Sequence, residues 1–273
     1  MEWNEKSFVV IAAAFYAAGV ARTLFGGRAG AGGRDWILFA LLATGVAAQT
    51  GAMIWRGVGF ARCPVHNLFE STLFVGWTIG AVYVGLGWTA RLWVFGRYVG
   101  PALLLIAIMA LFPNLDAPSE SLPGAVERWM ALHIPLILLS YGGFGLASVF
   151  AGMYLTLDHY LKRDKRRALS TALPPIDRLE SALVSTLTLS VVFLSLGLVL
   201  GMLLLKRMEG VYFSKDAKVL WSLLVWFVYG ALLAARMIWR RRGPRFAWGA
   251  IGSFVFILLT FWGSNLLSGI HNP

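Results

Sequence analysis

Eight apolar stretches divide this 273-residue chain and constrain its fold more than any other feature. A bilayer core is about 30 Å thick and a helix rises about 1.5 Å per residue, so roughly 18 or more apolar residues can cross it. Helices suit such stretches because each satisfies its own backbone hydrogen bonds in lipid. The predicted spans are residues 7–25, 36–55, 67–88, 98–113, 129–157, 179–205, 218–238 and 247–268. We therefore predict an all-α, polytopic protein of the lipid bilayer.

Composition supports a membrane protein over a soluble one. Hydrophobic residues make up 58% of the chain and charged residues only 14%, too few for the surface of a soluble domain of this size. The net charge of +11 is concentrated in short loops between the predicted spans, which argues against a nucleic-acid partner. The single cysteine, Cys63, excludes an intramolecular disulfide and a thiolate metal cluster. The acidic start of the chain is unlike a cleaved signal peptide, so the first span is expected to be retained.

Lysine and arginine predict the orientation. The loops His159–Arg178 and Arg236–Arg245 are strongly basic, so both are expected on the cytoplasmic side of a bacterial inner membrane. That side then holds 16 of the 24 basic residues, and both termini lie on the outer, periplasmic side. One predicted outer loop, residues 206–218, still carries four basic residues. This surplus suggests that the loop faces an anion.

The four histidines separate by topology. His159 lies in a basic cytoplasmic loop, where a solvated side chain is expected. His66, His133 and His271 all fall at predicted outer ends of spans. Imidazole is a common axial ligand of haem iron, and two imidazoles can bind the iron from opposite sides. An imidazole at a membrane interface also serves as a polar anchor, so the residues alone leave both interpretations open.

Aromatic residues accompany the basic outer loop. Tyr212 and Phe213 lie within it, and Trp221 and Trp226 follow in the next span. A haem site needs an aromatic surface for the macrocycle and cations for its propionates. The alternative is an interfacial aromatic belt, the usual role of Trp and Tyr at the ends of membrane helices.

Two further features are less specific. Glu70, at the start of the third span, is expected to be functional or to pair with Arg62 or Arg128, because a lone charge in lipid is costly. The stretch CPVH places Cys63 near His66, but one thiol and one imidazole do not form a metal cage. An ion or solute transporter is disfavoured, since the spans show no ladder of buried acids and bases.

Four stretches, in this order, resemble the haem-handling cytochrome c assembly proteins of the CcsA/ResC type, which are related to CcmC and HemX-like proteins. The stretches are HNLFESTLFVGW, WMALHIPLILLSYGGF, GVYFSKDAKVLWSLLVWFVYGALLAAR and GSNLLSGIHNP. They look like the family's Asn-Leu-aromatic-Glu-Ser entry to a span, its first external histidine, its tryptophan-rich loop with the following helix, and its second external histidine. The resemblance covers roughly residues 60–273.

The resemblance implies a haem b site on the outer face. By matching positions, His133 and His271 become the two axial metal ligands. The other residues implied to contact the cofactor are Asn67, Glu70, Trp129, Tyr212, Phe213, Asp216, Lys218, Trp221, Trp226 and Asn265. The chain departs from the family pattern where Phe213 and Lys215 replace tryptophan and where Ala217 replaces proline. A membrane-embedded histidine of many members is also absent, because this chain has Ala234-Ala235 there.

The function implied is c-type cytochrome biogenesis, in which haem is presented for attachment to apocytochrome c. The family works with a CcsB/ResB-type membrane partner, so the chain would be part of a haem-lyase complex; whether it is itself an enzyme is left open. We divide the chain into two N-terminal helices, residues 1–58, and an assembly domain, residues 59–273. The alternative is a HemX-like, non-catalytic protein that regulates or scaffolds tetrapyrrole metabolism.

Overall fold

A computed structural model describes most of the chain. The residues described are 4–25, 35–60, 63–87, 93–112, 115–116, 124–164, 166, 173–238 and 243–266, with backbone alone for residues 93, 124–128 and 261–266. All regular secondary structure within these ranges is helical. The helices are α1 Glu5–Phe25, α2 Trp36–Phe60, α3 Leu68–Gly87, α4 Gly96–Ala110, α5 Gly124–Arg163, α6 Ile176–Glu209, α7 Ala217–Ile238 and α8 Pro244–Leu266. The all-α prediction is confirmed.

Six of these helices are long and apolar enough to cross a membrane. The exceptions are α4, and α8 over its fully described part, Pro244–Thr260, which are shorter apolar helices. The protein is therefore a multi-pass membrane protein, as its sequence predicts. The chief difference from prediction is length: α5 and α6 extend past both predicted ends, because their polar terminal turns continue the helix beyond the apolar stretch.

The helices alternate in direction, so their ends gather at two opposite ends of the bundle. At one end, which we call the site end, α1, α3, α5 and α7 begin and α2, α4, α6 and α8 finish. Arg56 at the finish of α2 pairs there with Glu5 at the start of α1. At the other end, the basic end, Arg22 of α1 pairs with Asp35, which caps α2 through a 3.1 Å hydrogen bond from the amide of Leu38. Which end faces the periplasm stays a prediction.

Helix α5 lies at the centre of the bundle, and three glycines allow it to do so. A Cβ atom added at Gly142 would lie 2.6 Å from Thr78 of α3. One added at Gly143 would clash with the Ser190 hydroxyl of α6. One added at Gly145 would lie 2.7 Å from both Ile79 of α3 and Phe254 of α8. Small residues let membrane helices approach closely, where dispersion contacts hold them together. The stretch YGGFG thus brings α3, α6 and α8 against one helix.

The N-terminal pair, α1 and α2, joins the bundle through a buried polar relay as well as apolar packing. The Tyr16 hydroxyl donates to Gln49 at 2.7 Å, and the Gln49 amide donates to the carbonyl of Leu73 in α3, also at 2.7 Å. Buried polar groups must be hydrogen-bonded, since an unmade bond costs about 1–3 kcal/mol. The relay therefore sets the position of α2 against α3.

Candidate functional site

His133 lies near the start of α5, with its ring against α6. Its Nδ1 is 2.8 Å from the carbonyl oxygen of Gly197. A carbonyl only accepts hydrogen bonds, so Nδ1 carries the proton and Nε2 keeps a free lone pair in the neutral ring. Among the described residues none forms a hydrogen bond with Nε2. His133 is thus held in the tautomer that can bind a metal through Nε2.

Positive charge lies near His133 at the site end. Lys218, in the first turn of α7, is half-buried and lies within electrostatic range of the His133 imidazole. Arg207, in the last turn of α6, lies 4.8 Å from the ring centre of Trp129, a turn before His133 in α5. Of the four basic residues of loop 206–218, Lys218 therefore lies close to this histidine and Arg207 lies at Trp129, one turn before it, where both charges favour an anionic ligand.

The loop between α6 and α7, residues 210–216, presents its aromatic side chains outward. Tyr212 and Phe213 are 57% and 46% exposed. The Lys206 ammonium lies 4.9 Å from the Tyr212 ring centre and donates to the carbonyl of Gly210 at 2.7 Å. Gly210 ends α6 with a φ of 75°, a left-handed conformation that favours glycine. The loop leaves two aromatic rings available to a flat apolar ligand or to lipid.

Trp221 offers a buried hydrogen-bond donor. Its ring packs against Phe256 of α8 with centres 5.4 Å apart. Its indole Nε1 is buried and has no hydrogen-bond partner among the residues that the structure describes. Buried donors are nearly always satisfied, so this N–H indicates an acceptor that the described residues do not supply.

Trp226 and Asp216 have partners within the bundle. The Trp226 indole donates to the Ser195 hydroxyl of α6 at 2.8 Å. The Asp216 carboxylate accepts the backbone N–H of Lys218 at 2.8 Å and caps the start of α7. Both residues thereby fix α7 in place, a role that the sequence analysis did not assign to them.

Asn67 and Glu70 belong to a separate cluster centred on Arg56. Glu70 is 1% exposed and accepts from Arg56 Nε at 2.5 Å and from the backbone N–H of His66 at 2.6 Å. Asn67 caps α3 by accepting the amide of Glu70, and it donates to Asp116 at 2.8 Å. Of the partners predicted for Glu70, the side chains of Arg62 and Arg128 lie outside the described residues. Arg56 was not among the partners predicted for Glu70; its signal was a basic residue directly after the predicted second span, residues 36–55.

Asp116 completes this Arg56 cluster. It contacts the Arg56 guanidinium and lies 3.5 Å from the Lys6 ammonium. Burial acts to raise the pKa of Asp116, but hydrogen bonds and charge from Arg56, Asn67 and Lys6 outweigh it and hold the pKa below its usual value. The cluster therefore joins α1, α2, α3 and the segment after α4 by ionised groups.

His66 and Cys63 form a tight turn before α3. The His66 Nδ1 lies 2.9 Å from the carbonyl oxygen of Cys63. Partial desolvation of the exposed Cys63 side chain and the charge of Glu70 raise the pKa of its thiol. Within the described ranges no group of three or more metal-ligating side chains is present.

Comparison with known proteins is decisive for the family. A family model described as "Cytochrome C assembly protein" matches residues 65–271, which is most of the chain. The chain belongs to this cytochrome c assembly protein family. The match runs from the turn before α3 to the predicted second histidine, His271.

Several relatives carry the name cytochrome c biogenesis protein CcsA. That of Guillardia theta is 26% identical over 228 residues, covering 77% of this chain and 76% of the relative. Those of Synechococcus strains RCC307 and CC9311 are 26% and 27% identical over 249 and 262 residues. They cover 82% and 85% of this chain and 80% and 86% of their own lengths.

The described residues of this family member fit one half of a haem site. They supply an imidazole whose Nδ1 is hydrogen-bonded to a carbonyl, two exposed aromatic rings, nearby cations and the buried Trp221 donor, which suits a propionate oxygen. His271 and the side chain of Asn265 lie outside the described residues, so the second ligand stays a prediction. Gly197, whose carbonyl selects the tautomer of His133, was not among the site residues predicted from the sequence.

Proposed function

We propose that this protein binds haem b at the site end of the bundle and presents it for attachment to apocytochrome c. The observation that carries the proposal is the hydrogen bond from His133 to Gly197, which leaves Nε2 as a metal ligand. Membership of the cytochrome c assembly family and the CcsA relatives support a role in cytochrome c biogenesis. They do not favour the HemX-like alternative.

The roles of this chain's residues follow from their chemistry. When bound, haem supplies the iron and the reactive side groups to which apocytochrome thiols become attached. His133 would hold the iron through Nε2, and His271 would supply the second imidazole. Lys218 and the Trp221 indole would hold the propionates, since charge-assisted hydrogen bonds are the stronger class. Tyr212 and Phe213 would provide the apolar surface for the macrocycle.

The setting is also part of the proposal. We place the site end at the periplasmic face of a bacterial inner membrane, because the basic loops lie at the opposite end. A CcsB/ResB-type membrane protein is the proposed partner of the complex. The exposed aromatic loop, residues 210–216, is where apocytochrome c approaches.

The test is haem retention by purified variants. Wild-type protein is expected to show a low-spin, bis-imidazole spectrum, with haem b measured as pyridine haemochrome. His133→Ala combined with His271→Ala should abolish that spectrum, because no axial imidazole remains. His159→Ala, which removes an exposed imidazole at the basic end, is the matched control and should leave the spectrum unchanged. A double variant with the wild-type spectrum rules out this ligand pair.

A further inference from the structure

We propose that Gly197 and Gly201 of α6 form a notch that positions His133 and directs its Nε2 toward the haem. These two glycines are positioning residues, and the inference rests on the proposed haem function. It assigns a role to a helix that the sequence analysis did not include in the site.

The notch exists because α6 has no side chains where α5 crosses it. A Cβ added at Gly201 would lie 2.6 Å from Cε1 of His133, 3.2 Å from Nδ1 and 3.4 Å from Nε2. A Cβ added at Gly197 would lie 2.6 Å from Cγ1 of Ile137. Heavy atoms do not approach to 2.6 Å without a shift, so the ring occupies space that only glycine leaves free.

The spacing makes the two contacts interdependent. Gly197 and Gly201 are four residues apart, as are His133 and Ile137, so each pair lies on one face of its helix. Two successive turns of α5 therefore enter two successive gaps of α6. This small-residue arrangement lets helices pack closely in membranes and fixes the register of α5 along α6.

The carbonyl of Gly197 adds the chemical selection. By accepting the Nδ1 proton at 2.8 Å it holds one tautomer and one ring orientation. A histidine that donates its other ring N–H to a carbonyl is also a more basic metal ligand, and loss of such a partner typically lowers metal affinity about 10–100-fold. The backbone of α6 thus accepts the second ring N–H of His133 and orients the imidazole, a role that another side chain fills in many metal sites.

The first experiment replaces the glycines. Gly201→Ala puts a methyl group where the imidazole lies, so we expect haem affinity to fall about 10–100-fold and the low-spin spectrum to become partly high-spin. Gly230→Ala is the matched control, because a Cβ at that position in α7 meets nothing within 4 Å. Gly197→Ala should also lower haem affinity, because its clash with Ile137 disturbs the same register of α5 along α6. Free imidazole should restore the low-spin spectrum of Gly201→Ala by replacing the displaced ring. Wild-type affinity in Gly201→Ala, or a loss in Gly201→Ala that free imidazole does not rescue, overturns the proposal.

The second experiment needs no haem and no glycine variant. Protein labelled with ¹⁵N-histidine is measured by NMR without haem, and the His133 signals are assigned by their loss in His133→Gln. The expected result is a neutral ring protonated at Nδ1. Protonation at Nε2 would overturn the inference even if Gly201→Ala does not fold.

The two experiments also separate this inference from the proposed function. If His133→Ala retains haem with the wild-type spectrum, the haem site itself is wrong. If His133→Ala loses haem but Gly201→Ala matches Gly230→Ala, the site stands and the notch has no positioning role.

Discussion

At the scale of single residues, side chains that sequence would group as one haem site divide into ligands and supports. His133 keeps a free Nε2 and Trp221 keeps a buried N–H without a described partner, so both can act on a ligand. Asp216 instead uses its carboxylate to cap α7. The distinction depends on which polar atoms already have hydrogen-bond partners, because a group that bonds to the backbone has fewer hydrogen bonds left to form with a ligand.

This division predicts the outcome of replacing Asp216. Asp216→Ala removes the acceptor for the amide of Lys218 and should lower the free energy of unfolding by about 1 kcal/mol. Asparagine caps a helix nearly as well as aspartate, so the free energy of unfolding of Asp216→Asn should stay close to that of the wild type. Thermal unfolding in detergent measures both variants. An Asn variant as unstable as the Ala variant would mean that the negative charge, not the cap, is what matters.

At the scale of helices, the site end is held by two different kinds of contact. The notch joins α5 to α6 by shape, whereas the Arg56 cluster joins α1, α2 and α3 by charge. Arg56 is 5% exposed and Glu70 is 1% exposed. Breaking a buried ion pair is costly because the remaining charge loses its compensation.

We therefore predict that Arg56→Met strongly destabilises the protein. Taking the guanidinium away from buried Glu70 should cost about 3–5 kcal/mol. Adding Glu70→Gln should recover part of this loss, because the buried negative charge is then removed as well. Thermal unfolding in detergent gives the comparison.

Lys162→Met is the control for this prediction. It breaks the pair with Asp158 at the basic end, where the lysine side chain is 63% exposed, and should cost at most about 1 kcal/mol. An Arg56→Met variant no less stable than Lys162→Met would show that the cluster is not a structural joint.

At the scale of the whole molecule, the helix directions put His133, loop 210–216 and Cys63 at one end and the strongly basic loops at the other. This separation matches the charge asymmetry that orients membrane proteins. Since Cys63 is the only cysteine and is exposed, it reports the orientation without further engineering.

The orientation prediction is direct. In intact spheroplasts, a membrane-impermeant maleimide should label Cys63 from the outside. The reaction is best run at pH 8, because the pKa of this thiol is raised. A variant with Cys63→Ser and Arg163→Cys moves the thiol to the exposed finish of α5 and should react only after permeabilisation. The reverse pattern would place the site end in the cytoplasm.

Much of the fold was predictable because membrane insertion depends on local properties. The length of each apolar stretch predicted eight helices near their observed positions. The order of four short stretches also indicated the family, which comparison confirmed over residues 65–271. Helix ends were harder to predict, because polar turns continue α5 and α6 after the apolar pattern stops.

By itself, then, the sequence determined an all-helical, multi-pass protein of the cytochrome c assembly family with His133 near one end of an apolar span. Only the tertiary structure decided that Arg56 pairs with Glu70 and that the carbonyl of Gly197 selects the tautomer of His133. The physical reason is register. His133 and Gly197 are 64 residues apart, and their contact depends on the axial position of α5 relative to α6. That position is set by the packing of both helix surfaces, so neither helix alone specifies it.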